Sequence, residues 1–227
     1  MTGFGVCARK ASARRATIVE PWRALSGLQG LGPGFCYVSV CGPLAFDESD
    51  TERLAPLCEP LHLVAEGLCS AKQFVGVERE GAIHEKNVEV VRRARCLRGI
   101  RLFHGDLVSV LDRGLGEGGA KRLCPAIVNL DLLEGPAGGI ETLARTMSAL
   151  NEFCPWPTMV VWNVIAARRF PSRDDFRAQF TKMKTHELFL GAVDRGGWEQ
   201  YGELEYGGTG PRSATTMHTK VFWRAPG

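Results

Sequence analysis

Apolar runs and helical stripes alternate along this chain. "FCYVSVCGP" is a β-rich run closed by Gly42 and Pro43, the mark of a buried strand with a stop. "PLHLVAEGLCSA" sets Leu61, Val64, Ala65 and Leu68 at helical spacing, with Pro60 suited to a first turn. "QFVGVE" is strand again and ends on Glu78. In "GAIHEKNVEVVRRA", Ile83, Asn87, Val88, Val91 and Ala94 share one helical face, and the basic last turn suits the helix dipole. "GIRLFHGD" predicts a strand ending at His104, Gly105 and Asp106, and "LVSVLDRGLG" a short helix or loop. "PAIVNLDLL" is the most apolar strand, with Pro136, Gly138 and Gly139 breaking the chain after it. Ile140, Leu143, Ala144, Met147 and Leu150 then form one stripe, and "TMVVWNVIAA" is the next strand. "SRDDFRAQFTKM" opens on an N-cap serine and gathers Phe176, Phe180 and Met183. "WEQYGELEY" and "TTMHTKVFWRA" alternate with period two and, joined by "GGTGPRS", predict an antiparallel hairpin.

Near-continuous apolar strands separated by amphipathic helices imply a parallel sheet covered on both faces. With right-handed crossovers this becomes a doubly wound, mostly parallel, seven-stranded α/β sheet with helices on both faces and a C-terminal antiparallel hairpin, over residues 35–227. Residues 1–34 stand apart. Arg9, Lys10, Arg14, Arg15 and Arg23 face the single acid Glu20, and the glycine-rich "LSGLQGLGPGF" follows. The expectation there is a basic, flexible N-terminal arm, half fitting a transit peptide and lacking the apolar stretch of a secretory signal.

Composition changes this picture little. At 227 residues, 44% hydrophobic and 23% charged, the chain can bury one sizeable core. No stretch approaches the roughly 18 apolar residues of a membrane span, and a net charge of +3 does not by itself call for nucleic acid. The eight cysteines are scattered, with no CxxC and no zinc-finger spacing, so they predict buried reduced thiols, a cytoplasmic location and no metal.

Ligands of doubly wound sheets bind beyond the carboxyl ends of the strands. The polar strand tips are therefore the candidates: Gly42, Glu78, Asp106, Asn129 with Asp131, and Asn163. A carboxylate buried there without a partner costs several kcal/mol, so each tip needs a partner or solvent. His104 and His218 are polar residues beside a cleft. "GLGEGG", with Gly114, Gly116 and Gly119, has the spacing of a dinucleotide fingerprint but follows a helix or loop, the wrong context. No P-loop string is present.

Five strand–helix units closed by a hairpin resemble the class I S-adenosylmethionine-dependent methyltransferases, over roughly residues 35–225. The resemblance implies that Glu78 in "VGVE" accepts both ribose hydroxyls, and that Asp106 with Leu107 in "FHGDL" binds adenine. It implies that the loop at Gly42 approaches the methionine moiety, and that Asn129 and Asp131 in "NLDLLEGP" lie near the methyl group and the substrate. A carboxylate accepting at both oxygens suits a vicinal diol. Methyl transfer needs alignment and a dry site, with a base only where the nucleophile has a proton to lose.

One departure stands out: "VSVCGPLAFDESD" holds a single glycine where the family has a glycine-rich loop. Two readings follow, a methyltransferase of unidentified acceptor and a catalytically inactive methyltransferase-like binding or assembly module. Nucleic acid is one acceptor class. The basic arm with Lys121, Arg122, Arg168, Arg169, Arg173 and Arg177 would form its rim, or those residues are solvated helix faces. Neither the two-proline motif of amino-methylating DNA enzymes nor a Pro-Cys nucleophile occurs. A nicotinamide-dependent oxidoreductase is disfavoured by the misplaced glycine string.

Overall fold

The computed structural model describes residues 11–44, 58–113, 115, 124–132, 136–154, 157–165, 172–207 and 216–225. Strands β1 (Phe35–Val40), β2 (Phe74–Glu78), β3 (Arg101–His104), β4 (Cys124–Leu132) and β5 (Thr158–Ile165) run parallel, and β6 (Trp198–Gly207) and β7 (Thr216–Arg224) complete the sheet. The order is β3-β2-β1-β4-β5-β7-β6, with β7 antiparallel to both its neighbours. Strand order reverses between β1 and β4, each of which starts a wing of the sheet. The central strands read as unbroken apolar runs because both faces are covered. Val38, Val128, Leu130, Val160 and Trp162 face one layer of helices, while Tyr37, Ile127, Met159 and Val161 face the other.

The first layer holds α4 (Leu107–Arg113), α5 (Pro136–Phe153), α6 (Arg173–Phe180) and α7 (His186–Gly196). The α5 stripe is as its spacing predicts, with Ile140, Leu143, Ala144, Met147 and Leu150 all buried. Ser172 caps α6, its Oγ accepting the Asp175 N–H at 3.1 Å. The second layer holds α2 (Glu59–Ala65) and α3 (Gly81–Arg93), and on α3 the packed residues are Val90 and Val91 while Val88 is exposed. The "GTGPRS" that follows Gly207 and the glycines Gly114, Gly116 and Gly119 lie outside the described residues, as do Lys121, Arg122, Arg168 and Arg169.

Residues 11–26 correct the expectation of a flexible arm. They form a helix, α1, whose Arg15–Val19 segment has π geometry and whose Glu20–Ser26 segment is α-helical. Ile18, Val19 and Trp22 are buried in the second layer, and the Trp22 indole meets Trp223 of β7 edge-on at 6.0 Å. Arg15 and Arg23 serve this docking, Arg15 reaching Glu66 at 3.9 Å, while Arg9 and Lys10 lie outside the described residues. Arg15 pairs with Glu20 at 3.4 Å, and the Arg23 guanidinium donates to the carbonyls of Gln29 and Glu66. The glycine-rich stretch after α1 is packed too: a Cβ on Gly30 would lie 2.4 Å from the Gly67 carbonyl oxygen.

Two further differences follow from burial and charge. Helix α7 went unread, although Phe189 and Ala192 three residues apart are its buried stripe. Arg173 and Arg177 do not simply face solvent: both bind Glu203 of β6, at 3.2 and 2.9 Å, and the buried Lys220 approaches the same carboxylate at 3.6 Å. Cys36, Cys41, Cys58, Cys69 and Cys154 are buried free thiols, and burial pushes Cys41 up to about 12 and Cys58 up to about 11. Among the described residues no helix is long and apolar enough to cross a membrane.

If α1 is part of the core, Trp22→Ala lowers unfolding stability by about 3 kcal/mol. Urea denaturation measures this; an arm lying outside the core would leave the midpoint unmoved.

Candidate functional site

The carboxyl ends of β1, β2, β3 and β4 surround one cavity of about 710 Å³. Gly42 follows β1, Glu78 ends β2, Asp106 and Leu107 follow β3, and Asp131 lies near the end of β4; all five line it. The sheet thus brings together the expected residues Gly42, Glu78, Asp106, Leu107 and Asp131, and leaves out Asn129 and Asn163. Strand order reverses at β1 and β4, the place where ligands of doubly wound sheets bind.

Glu78 is half-buried, and its Oε1 accepts the Glu80 N–H at 2.8 Å. This bond turns the chain from β2 into α3, and it leaves Oε2 without a hydrogen-bond partner among the described residues. Asp106 behaves similarly. Its Oδ2 accepts the N–H of Ser109 at 3.1 Å and the hydroxyl at 3.2 Å, which caps the start of α4. Each acid therefore has a local structural duty carried by one of its two oxygens. His104 stacks on His84 at 5.4 Å and contacts the Arg79 carbonyl through Nε2 at 3.1 Å, bracing the β2 and β3 tips. His218 lies elsewhere, buried flat against Phe176 at 4.5 Å, where desolvation lowers its pKa.

Asn129 does not line the large cavity. It is buried, and both ends of its amide are engaged: Nδ2 donates to Glu59 Oε1 at 2.8 Å, and Oδ1 accepts Asn163 Nδ2 at 2.9 Å. Asn163 Oδ1 in turn accepts the Thr219 hydroxyl at 2.5 Å. Register places these groups side by side, with Ser39 opposite Asn129 and Asn163 opposite Thr219. Asn129, expected beside the methyl group, thus lies within the sheet and holds Glu59 and Asn163. It borders a separate pocket of about 20 Å³ with Asp131, Asn163 and Tyr206. Burial, and then the Asp131 charge, push the Tyr206 phenol up to about 12.

Glu59 was not anticipated. It opens α2, lines the large cavity, and is 7% exposed. Its Oε1 accepts the Tyr37 hydroxyl and the Asn129 amide, and its Oε2 accepts the Ser39 hydroxyl at 3.0 Å. Burial, and then the Glu59 charge, hold the Tyr37 pKa well above the usual phenol range, so Tyr37 remains a donor.

The glycine-poor loop after β1 has its own support. Asn87 of α3 is buried; its Nδ2 donates to the Gly42 carbonyl at 3.2 Å and its Oδ1 accepts the Leu44 N–H at 2.8 Å. A side chain from α3, beyond β2 in the chain, holds this backbone in place. Around the cavity stand the carboxylates of Glu59, Glu78, Glu80, Asp106 and Asp131 against the guanidinium groups of Arg14 and Arg79, so its field favours a cation.

No protein-family model matches the sequence, and no curated protein matches it. Solved structures do. The O-methyltransferase TomG from Streptomyces achromogenes, solved in complex with SAM, aligns with a TM-score of 0.50 at 13% identity, over 96% of this chain and 89% of its own. A putative O-methyltransferase from Klebsiella pneumoniae aligns at 0.49 and 13% identity, over 99% and 90%. Trm5b from Pyrococcus abyssi aligns at 0.49 and 12% identity, over 90% of this chain and 47% of its own, so the chain spans about half of that protein. The chain has the class I S-adenosylmethionine-dependent methyltransferase fold.

Removing the Asn87 clamp unties the β1 loop on both sides of Pro43. Asn87→Ala is expected to cost about 2 kcal/mol of stability, and amide hydrogen exchange at Leu44 should rise beyond the global change. Unchanged protection at Leu44 would show that the loop holds itself.

Proposed function

We propose that this cavity binds S-adenosylmethionine and that the chain is a methyltransferase. One observation carries the reading. Four neighbouring strands deliver Gly42, Glu78, Asp106 and Asp131 to a single cavity at the point of strand reversal. Its volume lies within the roughly 300–1,000 Å³ of small-molecule sites. Glu78 accepts the ribose hydroxyls, Asp106 takes the exocyclic amine of adenine, and Leu107 supplies an apolar wall beside the base. When bound, S-adenosylmethionine supplies an electrophilic methyl carbon on a sulfonium. Asp131 stands at the border of both cavities, placed to orient an acceptor and to take its proton where it carries one.

A second reading, a binding module without catalysis, is favoured by the turn at Gly42 and Pro43, where Asn87 ties down backbone that a ligand would otherwise approach. Calorimetric titration with S-adenosylmethionine and S-adenosylhomocysteine separates the two. The methyltransferase reading expects binding that Glu78→Ala weakens about tenfold or more, through lost hydrogen bonds to the sugar. No heat at high ligand concentration would leave only the module.

A further inference from the structure

Glu59 is a buried carboxyl group whose hydrogen-bond partners, Tyr37, Ser39 and Asn129, are all neutral. No ion pair reaches it among the described residues. Its position next to the cavity is built from three elements: the first turn of α2, the end of β1 and the middle of β4. A carboxylate offers about four lone-pair sites, and three are taken here. What Glu59 presents to the cavity is therefore mainly charge, with little remaining capacity to accept hydrogen bonds. An ammonium group, which needs several acceptors, is poorly served by such a group. A cation with no N–H to donate is well served.

Resting on the cofactor reading above, we infer that Glu59 is the counter-ion of the sulfonium centre and selects the charged methyl donor over its neutral product. The direction of the ligand follows from the sheet. With the base at Asp106 on β3 and the ribose at Glu78 on β2, the chain beyond the 5′ carbon continues toward β1 and β4. Adjacent strands lie about 4.8 Å apart, so the group that leaves the ribose over β2 reaches the gap above β1 within one spacing. Glu59 is anchored at that point by Ser39 and Asn129, which sit side by side on β1 and β4.

Transfer breaks the carbon–sulfur bond with its electron pair left on sulfur, while a lone pair of the acceptor forms the new bond to carbon. The sulfur ends as a neutral thioether, and the attraction to Glu59 ends with its charge. The carboxylate thus holds the donor and lets the product go.

Binding of S-adenosylmethionine and S-adenosylhomocysteine to wild type and to Glu59→Gln, by calorimetry at low and moderate salt, tests this. Wild type should bind the sulfonium about tenfold tighter than the thioether, a difference of the size expected from one partly screened charge pair. The preference should shrink as salt rises. Glu59→Gln should bring the two affinities together by weakening only the sulfonium, whereas Glu78→Ala should weaken both alike. Equal wild-type affinities, or a tighter thioether, would overturn the inference without touching the cofactor reading, and the wild-type comparison stands even if the variant fails to fold. Equal weakening of both ligands by Glu59→Gln would also overturn it. If wild type binds neither ligand, the cofactor reading falls and this inference with it.

Discussion

A carboxyl group held away from water costs several kcal/mol unless donors meet it, and Glu59 is met by donors from two strands. Tyr37 and Ser39 come from β1 and Asn129 from β4, the two strands at which the sheet changes direction. Asn129 can serve only because Asn163 and Thr219 hold its other end. A polar line therefore runs from β7 through β5 and β4 to the start of α2, beside the apolar cluster of the second layer. Breaking such a line at one point leaves an unpaired buried group, which is more costly than the net worth of any single bond. The cavity above inherits its shape and its negative floor from this arrangement.

The loop after β1 shows the same economy of means in another form. Glycine lets backbone come close to a ligand because no Cβ stands in the way. Here Pro43 restricts the backbone, and Asn87 fixes the peptide groups on either side of it. The Gly42–Leu44 backbone is thus held without any ligand, so less of its conformational entropy remains to be lost on binding. The same rigidity restricts which backbone groups a ligand can reach, and for that reason the turn bears on whether the fold is used for catalysis.

Much of the fold was legible because its strands are buried on both faces and its longest helix has a clean stripe. Glu78 and Asp106 were visible as acids that end apolar runs. Glu59 was hidden: an acid beside Pro60 at the start of a helix looks like any first-turn residue, and its partners lie 20, 22 and 70 positions away. Asn87 was placed on the correct face of its helix, but the Gly42–Leu44 backbone that it holds is more than 40 residues distant. Helix α1 was obscured by its arginines, although Ile18, Val19 and Trp22 already had the spacing of a buried face. The charge pattern suggested a solvated arm; Arg15 and Arg23 instead reach Glu20, Gln29 and Glu66. Asn129 was read as a tip because it is polar, whereas it lies inside β4, before Leu130, Asp131 and Leu132, and beside Ser39.

The central claim is that polar tips of adjacent parallel strands converge on one nucleoside. A crystal structure of the chain grown with S-adenosylmethionine tests it most directly. The account expects the ribose hydroxyls on Glu78, the adenine amine at Asp106, and the sulfur over the gap between β1 and β4. A ligand bound outside this cavity, or a ribose turned away from Glu78, would contradict it.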